Sequence, residues 1–580
     1  MKKLTGFLLI CFLFAQQLPA QQKPAPIHPA IESALKKIII FQNNEARADS
    51  IAGHPLGSNK EEDHFREYTF YQSIHTELDR IDKASLSFDD QINLELLQYS
   101  IEDNISSWTY KSYLNPILSD EGFHTGLAGM GSEILSSKKE CENYISRLKD
   151  IPRYVDENLA LMRKGLTLGI CQPKAILDGY ENTYVQHIVT DPEKSVFYKP
   201  FLTKPFSISD EDWKQITAAA KTGVLQYAVE AFKTIKIFFD TEYLPKTRTT
   251  IGVSNFPDGL AYYQDRVKHY TTTDLSYEEV YQLGLSEVAR IKKEMLDVIN
   301  EVHFKGSLTE FITNLRTAPE FYAPTPEQLL KEASYIAKKA DGMLPAFFGK
   351  LPRQPYGVEA VPAHLAPTYT AGRYSSASIF SKRAGHYWVN TYDLKSRPLY
   401  ALEALTMHEA VPGHHLQIAL AQELTDLPEF RRNLYVNAFG EGWGLYCEYL
   451  GTEMGFYKDP YSHFGRLTYE MWRACRLVLD VALHTKGWTR EQAVKYLADN
   501  TALSLHEVNT EINRYISWPG QALAYKMGEL KIKELRKRAE YKLKDKFDIR
   551  EFHDLVLSQG TVTLKILDAM VDRYIAAKLK

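Results

Sequence analysis

Along most of this chain apolar residues return every three or four positions. Tyr144, Leu148, Ile151, Val155, Leu159 and Met162 fall on one stripe of a helix, and Pro152 inside the run predicts a kink or a division in two. Helix starts are marked at Ser276 with Glu279, Thr325 with Gln328, Thr489 with Gln492 and Ser504 with Glu507. In each, a hydroxyl can cap the first turn while the side chain three residues on reaches back to the cap. Pro326 adds the fixed backbone angle that suits a first helical position. With no internal repeat, linker or strand–helix–strand alternation, the pattern predicts a mainly α-helical protein in which residues 21–580 form one large body or two interlocked halves.

One stretch breaks the helical rhythm. "GHYWVNTY", Gly385 to Tyr392, is aromatic and β-branched and follows the turn-like "SKRAG", so a short strand is expected there, with an exposed edge that an extended peptide could pair with.

The first twenty residues, MKKLTGFLLICFLFAQQLPA, set two lysines before an apolar run ending in small or polar residues, the plan of a secretory leader. The expectation is an exported protein, periplasmic or secreted, with no stable membrane insertion once the leader is removed. The residue before Cys11 is Ile10, not a small one, which argues against a lipid anchor there. No later segment reaches the ~20 apolar residues a spanning helix needs. Losing Lys2 and Lys3 with the leader takes the formal charge from −4 to −6, and no basic block suggests nucleic acid as a partner. Cys141, Cys171, Cys447 and Cys475 make no C-x-x-C pair, so a thiolate metal site is not expected, and their pairing is not legible.

The candidate chemistry begins at "TMHEAVPGHHLQ", Thr406 to Gln417. In the zinc-peptidase pattern H-E-x-x-H, two histidines one turn apart face one metal and the glutamate between them serves as base. Here Pro412 stands where the second histidine belongs. On an unbroken helix, with ~1.5 Å rise and ~100° per residue, His414 would lie ~9 Å along the axis and point away, and His415 ~10.5 Å along it, so neither could share a metal with His408. Pro412 removes the interior helical hydrogen bond and Gly413 tolerates angles closed to other residues. The helix is therefore expected to break between Glu409 and His414, bringing His414 or His415 back toward His408. A third ligand is offered by "NAFGEGWGLYCEYLG", where Glu441 lies in a helix-like segment that carries Glu448 two turns later.

The combination "HEAVPGHHLQ … GEGWGLYCEYLG … RACRLVLDVALHTKGW … RYISWPGQALAYKMG" resembles the bacterial family known as domain of unknown function 885. That family is similar, at a distance, to helical zinc peptidases of the thermostable carboxypeptidase, thimet oligopeptidase and angiotensin-converting enzyme type. The matching motifs cover about residues 360–530. The resemblance implies zinc held by His408, His414 and Glu441, with Glu409 as general base and His415 outside the ligand set. It also implies a large helical body around a deep active-site cleft, with a small β element before the metal-binding helix.

Peptide hydrolysis further needs donors for the developing oxyanion, each able to supply ~3–4 kcal/mol. "RYISWPGQALAYKMG" offers Arg514, Tyr515, Gln521, Tyr525 and Lys526; analogy with the relatives selects Tyr525 for the oxyanion, and Arg514 is a candidate for a substrate carboxylate. Asp480 and His484, four apart on one helix face, read first as a surface pair and second as a brace for a metal ligand. The basic run from Lys526 to Lys546 reads as a solvated amphipathic helix. The function expected is an exported zinc-dependent peptidase acting on short peptides. The alternatives are a zinc amidohydrolase on a non-peptide amide and a non-catalytic peptide-binding envelope protein, the last having no need of Glu409.

Overall fold

A computed structural model describes residues 27–363, 365–379 and 381–580. The leader and Cys11 lie outside them. The described protein is mainly α-helical with three short strands, as the periodicity predicts. No described helix is long and apolar enough to cross a membrane.

The 144–162 stripe lies on α1, Lys138–Leu168, and all six of its residues are buried. The helix runs through Pro152 without dividing. Apolar side chains on both sides of the proline face the same core, so packing keeps the two halves in one helix across the missing hydrogen bond. Ser276 and Thr489 form reciprocal capping boxes, whereas Thr325 and Ser504 cap their helices with the hydroxyl alone.

The helices that position the site follow in order: α2, Tyr277–Glu301; α3, Leu402–Glu409; α4, His414–Glu423; α5, Asn437–Glu453; α6, Pro460–Thr485; α7, Leu505–Ser517; and α8, Ala524–Leu543. Helix α6 is buried along nearly its whole length and packs along α2. Helices α5 and α8 cross almost backbone to backbone, because a Cβ on Gly442 would run into Gly528. The main core runs from Ile92 to Ile575, and a second cluster gathers Ile31, Ile74 and Leu94 beneath the first helices of the chain.

The strand expected at Gly385–Tyr392 forms over Gly385–Val389 and is β3 of a three-stranded sheet, with β1 at Tyr356–Ala360 and β2 at Gly372–Ser375. Its edge is not free. The order is β1–β3–β2, with β1 parallel and β2 antiparallel to β3, so β3 is the central strand and the edges of the sheet belong to β1 and β2 instead. Strand order depends on partners distant in sequence, which the composition of β3 cannot encode.

Candidate metal centre

Helix α3 ends at Glu409 and α4 begins at His414, with a cis Val411–Pro412 bond between them. The break expected of Pro412 and Gly413 is therefore present. Its geometry is held from three sides. The His415 N–H donates to the Ala410 carbonyl across the break at 3.1 Å. The indole N–H of the fully buried Trp443 donates to the Pro412 carbonyl at 2.9 Å. Gly413 lies so close to the His408 carbonyl that a Cβ there would overlap it.

Across this break His408 and His414 come together with Glu441. Nε2 of His408 lies 3.5 Å and Nε2 of His414 3.4 Å from Glu441 Oε2. One donor atom from each of the three residues falls within 4.8 Å of the others. Ligands at ~2.0–2.1 Å from a tetrahedral zinc stand ~3.3–3.4 Å apart, so the two nitrogen-to-oxygen separations match that ion, and the third side of the triangle lies within the 4.8 Å span. Glu441 sits near the start of α5 and His408 at the end of α3. The end of α3 meets the body of α5, where Gly444 and Glu448 also approach His408.

The glycines around Glu441 reflect close approach rather than a surface turn. Besides Gly442 at the crossing with α8, a Cβ on Gly444 would come within 2.7 Å of His408 Nε2. Interior helical glycines cost ~1 kcal/mol each relative to alanine, and here they leave room for a helix backbone and an imidazole.

His408 is fixed on its far side. Its Nδ1 lies 2.8 Å from Glu448 Oε1, which also lies 3.4 Å from Arg473 of α6; Glu448 is 1 % exposed. An imidazole that gives its Nδ1 proton to a carboxylate presents Nε2 to the centre. Burial pulls the His408 pKa down, but the carboxylates of Glu441 and Glu448 outweigh it and raise it to about 10. Burial likewise pushes Glu441 up, while His408 and His414 hold its carboxyl well below the usual range. Tyr435 donates to Glu441 Oε1 at 3.3 Å.

His415 turns the other way. Its Nδ1 lies 2.9 Å from the Tyr374 hydroxyl and its ring packs on Tyr356, placing it against the sheet, where burial lowers its pKa to about 4. The structure therefore brings His414, and not His415, to His408. Glu409 is held by the sheet as well: the Tyr374 N–H on the outer rim of β2 donates to Glu409 Oε2 at 2.7 Å.

Tyr525 comes near the centre, its ring 6.4 Å from that of His408, and its hydroxyl accepts from Arg514 Nη2 at 3.3 Å. Arg514 also donates to Gln521 at 2.6 Å and pairs with Glu511, so the guanidinium expected to meet a substrate carboxylate is already engaged by Tyr525, Gln521 and Glu511. Tyr515 is a core residue, its buried hydroxyl bonded by Trp472 and Arg476. Asp480 and His484 are not a surface pair, since both are buried, and the groups they bond lie outside the His408–His414–Glu441 cluster. Asp480 accepts from the Tyr263 hydroxyl and the Gly520 N–H, and His484 bonds the Val253 N–H and the Tyr515 carbonyl. Lys526 is not solvated either: it is fully buried against Glu287, Glu470 and Glu529, at the inner end of a helix whose later lysines reach the surface. The four cysteines are buried and free.

Sequence reasoning gave Glu448 no role and missed Arg473 and Trp443. For Glu448 a signal exists, because seven residues bring a helix back to almost the same face as Glu441.

Fold and site define a helical protein with a two-histidine, one-glutamate cluster at a broken helix beside a small sheet. The chain belongs to the family described as "Bacterial protein of unknown function (DUF885)", which matches residues 51–571. Among solved structures it is similar to one titled a "putative lipoprotein" from Colwellia psychrerythraea, at 30 % identity over 90 % of this chain and 92 % of that one, with a TM-score of 0.82. A "putative lipoprotein of unknown function" from Shewanella oneidensis shares the fold at 17 % identity, 88 % and 92 % coverage and a TM-score of 0.66. A carboxypeptidase from Pyrococcus furiosus overlaps over 95 % and 99 % of the two chains at only 11 % identity and a TM-score of 0.31, too distant to bear on this chain. No curated protein matches the chain.

Proposed function

We propose that this protein is an exported zinc-dependent peptidase acting on short peptides. The observation that carries the reading is the convergence of His408, His414 and Glu441 within 4.8 Å, next to a glutamate, Glu409, that takes no part in the cluster. A binding protein would have no use for that carboxylate. Two imidazoles and one carboxylate suit zinc, which when bound acidifies water and polarises a carbonyl. Glu409, aimed by the Tyr374 N–H, is placed to accept a proton beside the cluster. Tyr525, backed by Arg514, supplies a hydroxyl for the oxygen on which charge develops. Export is supported by the leader-like first twenty residues and agrees with the lipoprotein titles of two structural relatives.

The test is incubation of the purified protein with a mixed peptide library, with added zinc or with chelator, reading products by mass spectrometry. Chelator-sensitive cleavage supports the reading; an untouched library under zinc contradicts it.

A further inference from the structure

Arg373 follows from strand geometry and has no part in the site described so far. It precedes Tyr374, whose N–H holds Glu409. Side chains alternate across a strand. The Tyr374 ring is buried against His415, so Arg373 projects from the opposite face of β2, where it is exposed. The groups that feel its charge come from three separate elements. Partial desolvation by its neighbours works against the guanidinium although the side chain reaches solvent, and Tyr369, Glu409 and Glu441 favour its charged form. From the other side, burial raises the Glu121 carboxyl while Arg373 and Arg514 pull it down.

Glu121 stands on a tight hairpin closed by Leu118 N–H to the Glu121 carbonyl at 2.8 Å. Gln172 ties that hairpin to the end of α7 by donating to both the Ile117 and Ser517 carbonyls. Arg373 is thus one residue from the N–H that holds Glu409, and its charge is felt by Glu441 and by Glu121 of the hairpin.

Among the described residues Arg373 makes no ion pair. The carboxylates it feels at the centre are engaged elsewhere, Glu409 on the Tyr374 N–H and Glu441 on two histidines and Tyr435. A guanidinium offers five donors in a planar fork matched to a carboxylate, and the Tyr369 side chain occupies only part of it.

We propose that Arg373 reads a carboxylate on the substrate residue flanking the scissile bond, whether the C-terminal carboxylate of the peptide or an acidic side chain at that position. This rests on the peptidase reading and adds a substrate preference to it.

The test uses the full zinc-loaded protein and two peptide pairs, one a free acid against its C-terminal amide, the other Glu against Gln at the flanking residue. In the wild type, kcat/KM for the carboxylate member of one pair exceeds its partner by ~10–100-fold, the range of a hydrogen bond to a charged group. The pair that discriminates identifies the source of the carboxylate. In Arg373→Gln that ratio falls to near unity, Arg373→Lys retains part of it, and the melting temperature of the exposed-site variants stays at the wild-type value. Equal rates within both pairs for the wild type, or a preference that survives in Arg373→Gln, overturns the proposal. If the wild type cleaves no peptide, the peptidase reading falls by itself. Arg373 is then judged by calorimetry with a free-acid dipeptide and its amide: tighter binding of the acid by the wild type alone supports the assignment, and equal binding overturns it.

Discussion

Nδ1 of His408 lies 2.8 Å from Glu448 Oε1, and the same oxygen lies 3.4 Å from Arg473. A carboxylate in this place fixes the histidine's tautomer and its ring, and such partners are worth ~10–100-fold in metal affinity. Glu448→Gln keeps the shape and an acceptor but removes the charge. Zinc affinity, measured by chelator competition, is expected to fall within that range while the far-ultraviolet circular dichroism stays unchanged. Wild-type affinity in this variant would remove Glu448 from the centre's support.

The second and third histidines give a sharper contrast. His414→Ala is expected to strip the metal, because one of two imidazole donors is lost. His415→Ala is expected to keep it, because that ring faces Tyr374 and Tyr356. Metal analysis of the two purified variants decides the register, and the reverse result would show that the break in the helix is set differently.

How much of this is legible in the sequence depends on how local the cause is. The stripe on α1 and the break at Pro412–Gly413 follow from residues a few positions apart, and both appear where the pattern puts them. That α1 is not divided at Pro152, one of the two outcomes the proline allows, is not local: packing on both sides of it outweighs one lost hydrogen bond. That His415 turns away from His408 depends on Tyr374, 41 residues from it, on a strand whose neighbours the chain does not announce. Lys526, Asp480 and His484 mislead for a related reason: periodicity assigns a face to a residue, not what the face meets. Arg373 becomes visible only once β2 is known to be the strand beside Glu409.

Helical glycines are ordinarily improved by alanine, which costs about 1 kcal/mol less in a helix interior. Gly444→Ala is expected to depart from that rule, since the added carbon would come within 2.7 Å of His408 Nε2. The protein should fold but bind zinc at least ~10-fold more weakly, the lower end of what displacing a ligand's support costs. Undiminished zinc affinity in Gly444→Ala would show that the His408 ring moves aside freely.

Burial raises the pKa of Asp480 to about 7, against the bonds from Tyr263 and Gly520 that favour its charged form. Between the ordinary carboxyl value and that figure the folded protein binds a proton the unfolded chain lacks. Stability from this group is thus fully present at the acid end of the window and is lost as pH rises through about 7, at up to about 1.4 kcal/mol per pH unit. Asp480→Asn keeps an acceptor for both donors and cannot ionise. Relative to the wild type, its melting temperature should therefore gain between pH 5 and pH 8. Parallel pH profiles for the two proteins would show that Asp480 does not titrate in this window.

The most direct measurement of the proposed function is peptide turnover and bound metal in Glu409→Gln beside the wild type. The amide of this variant keeps an oxygen for the Tyr374 N–H and the volume of the side chain while losing the base. Zinc content should equal that of the wild type, and kcat should fall by ~10²–10⁴-fold, the share of a positioned acid or base. Equal turnover by the two proteins with equal zinc would contradict the role given to Glu409, and with it the catalytic reading of the site.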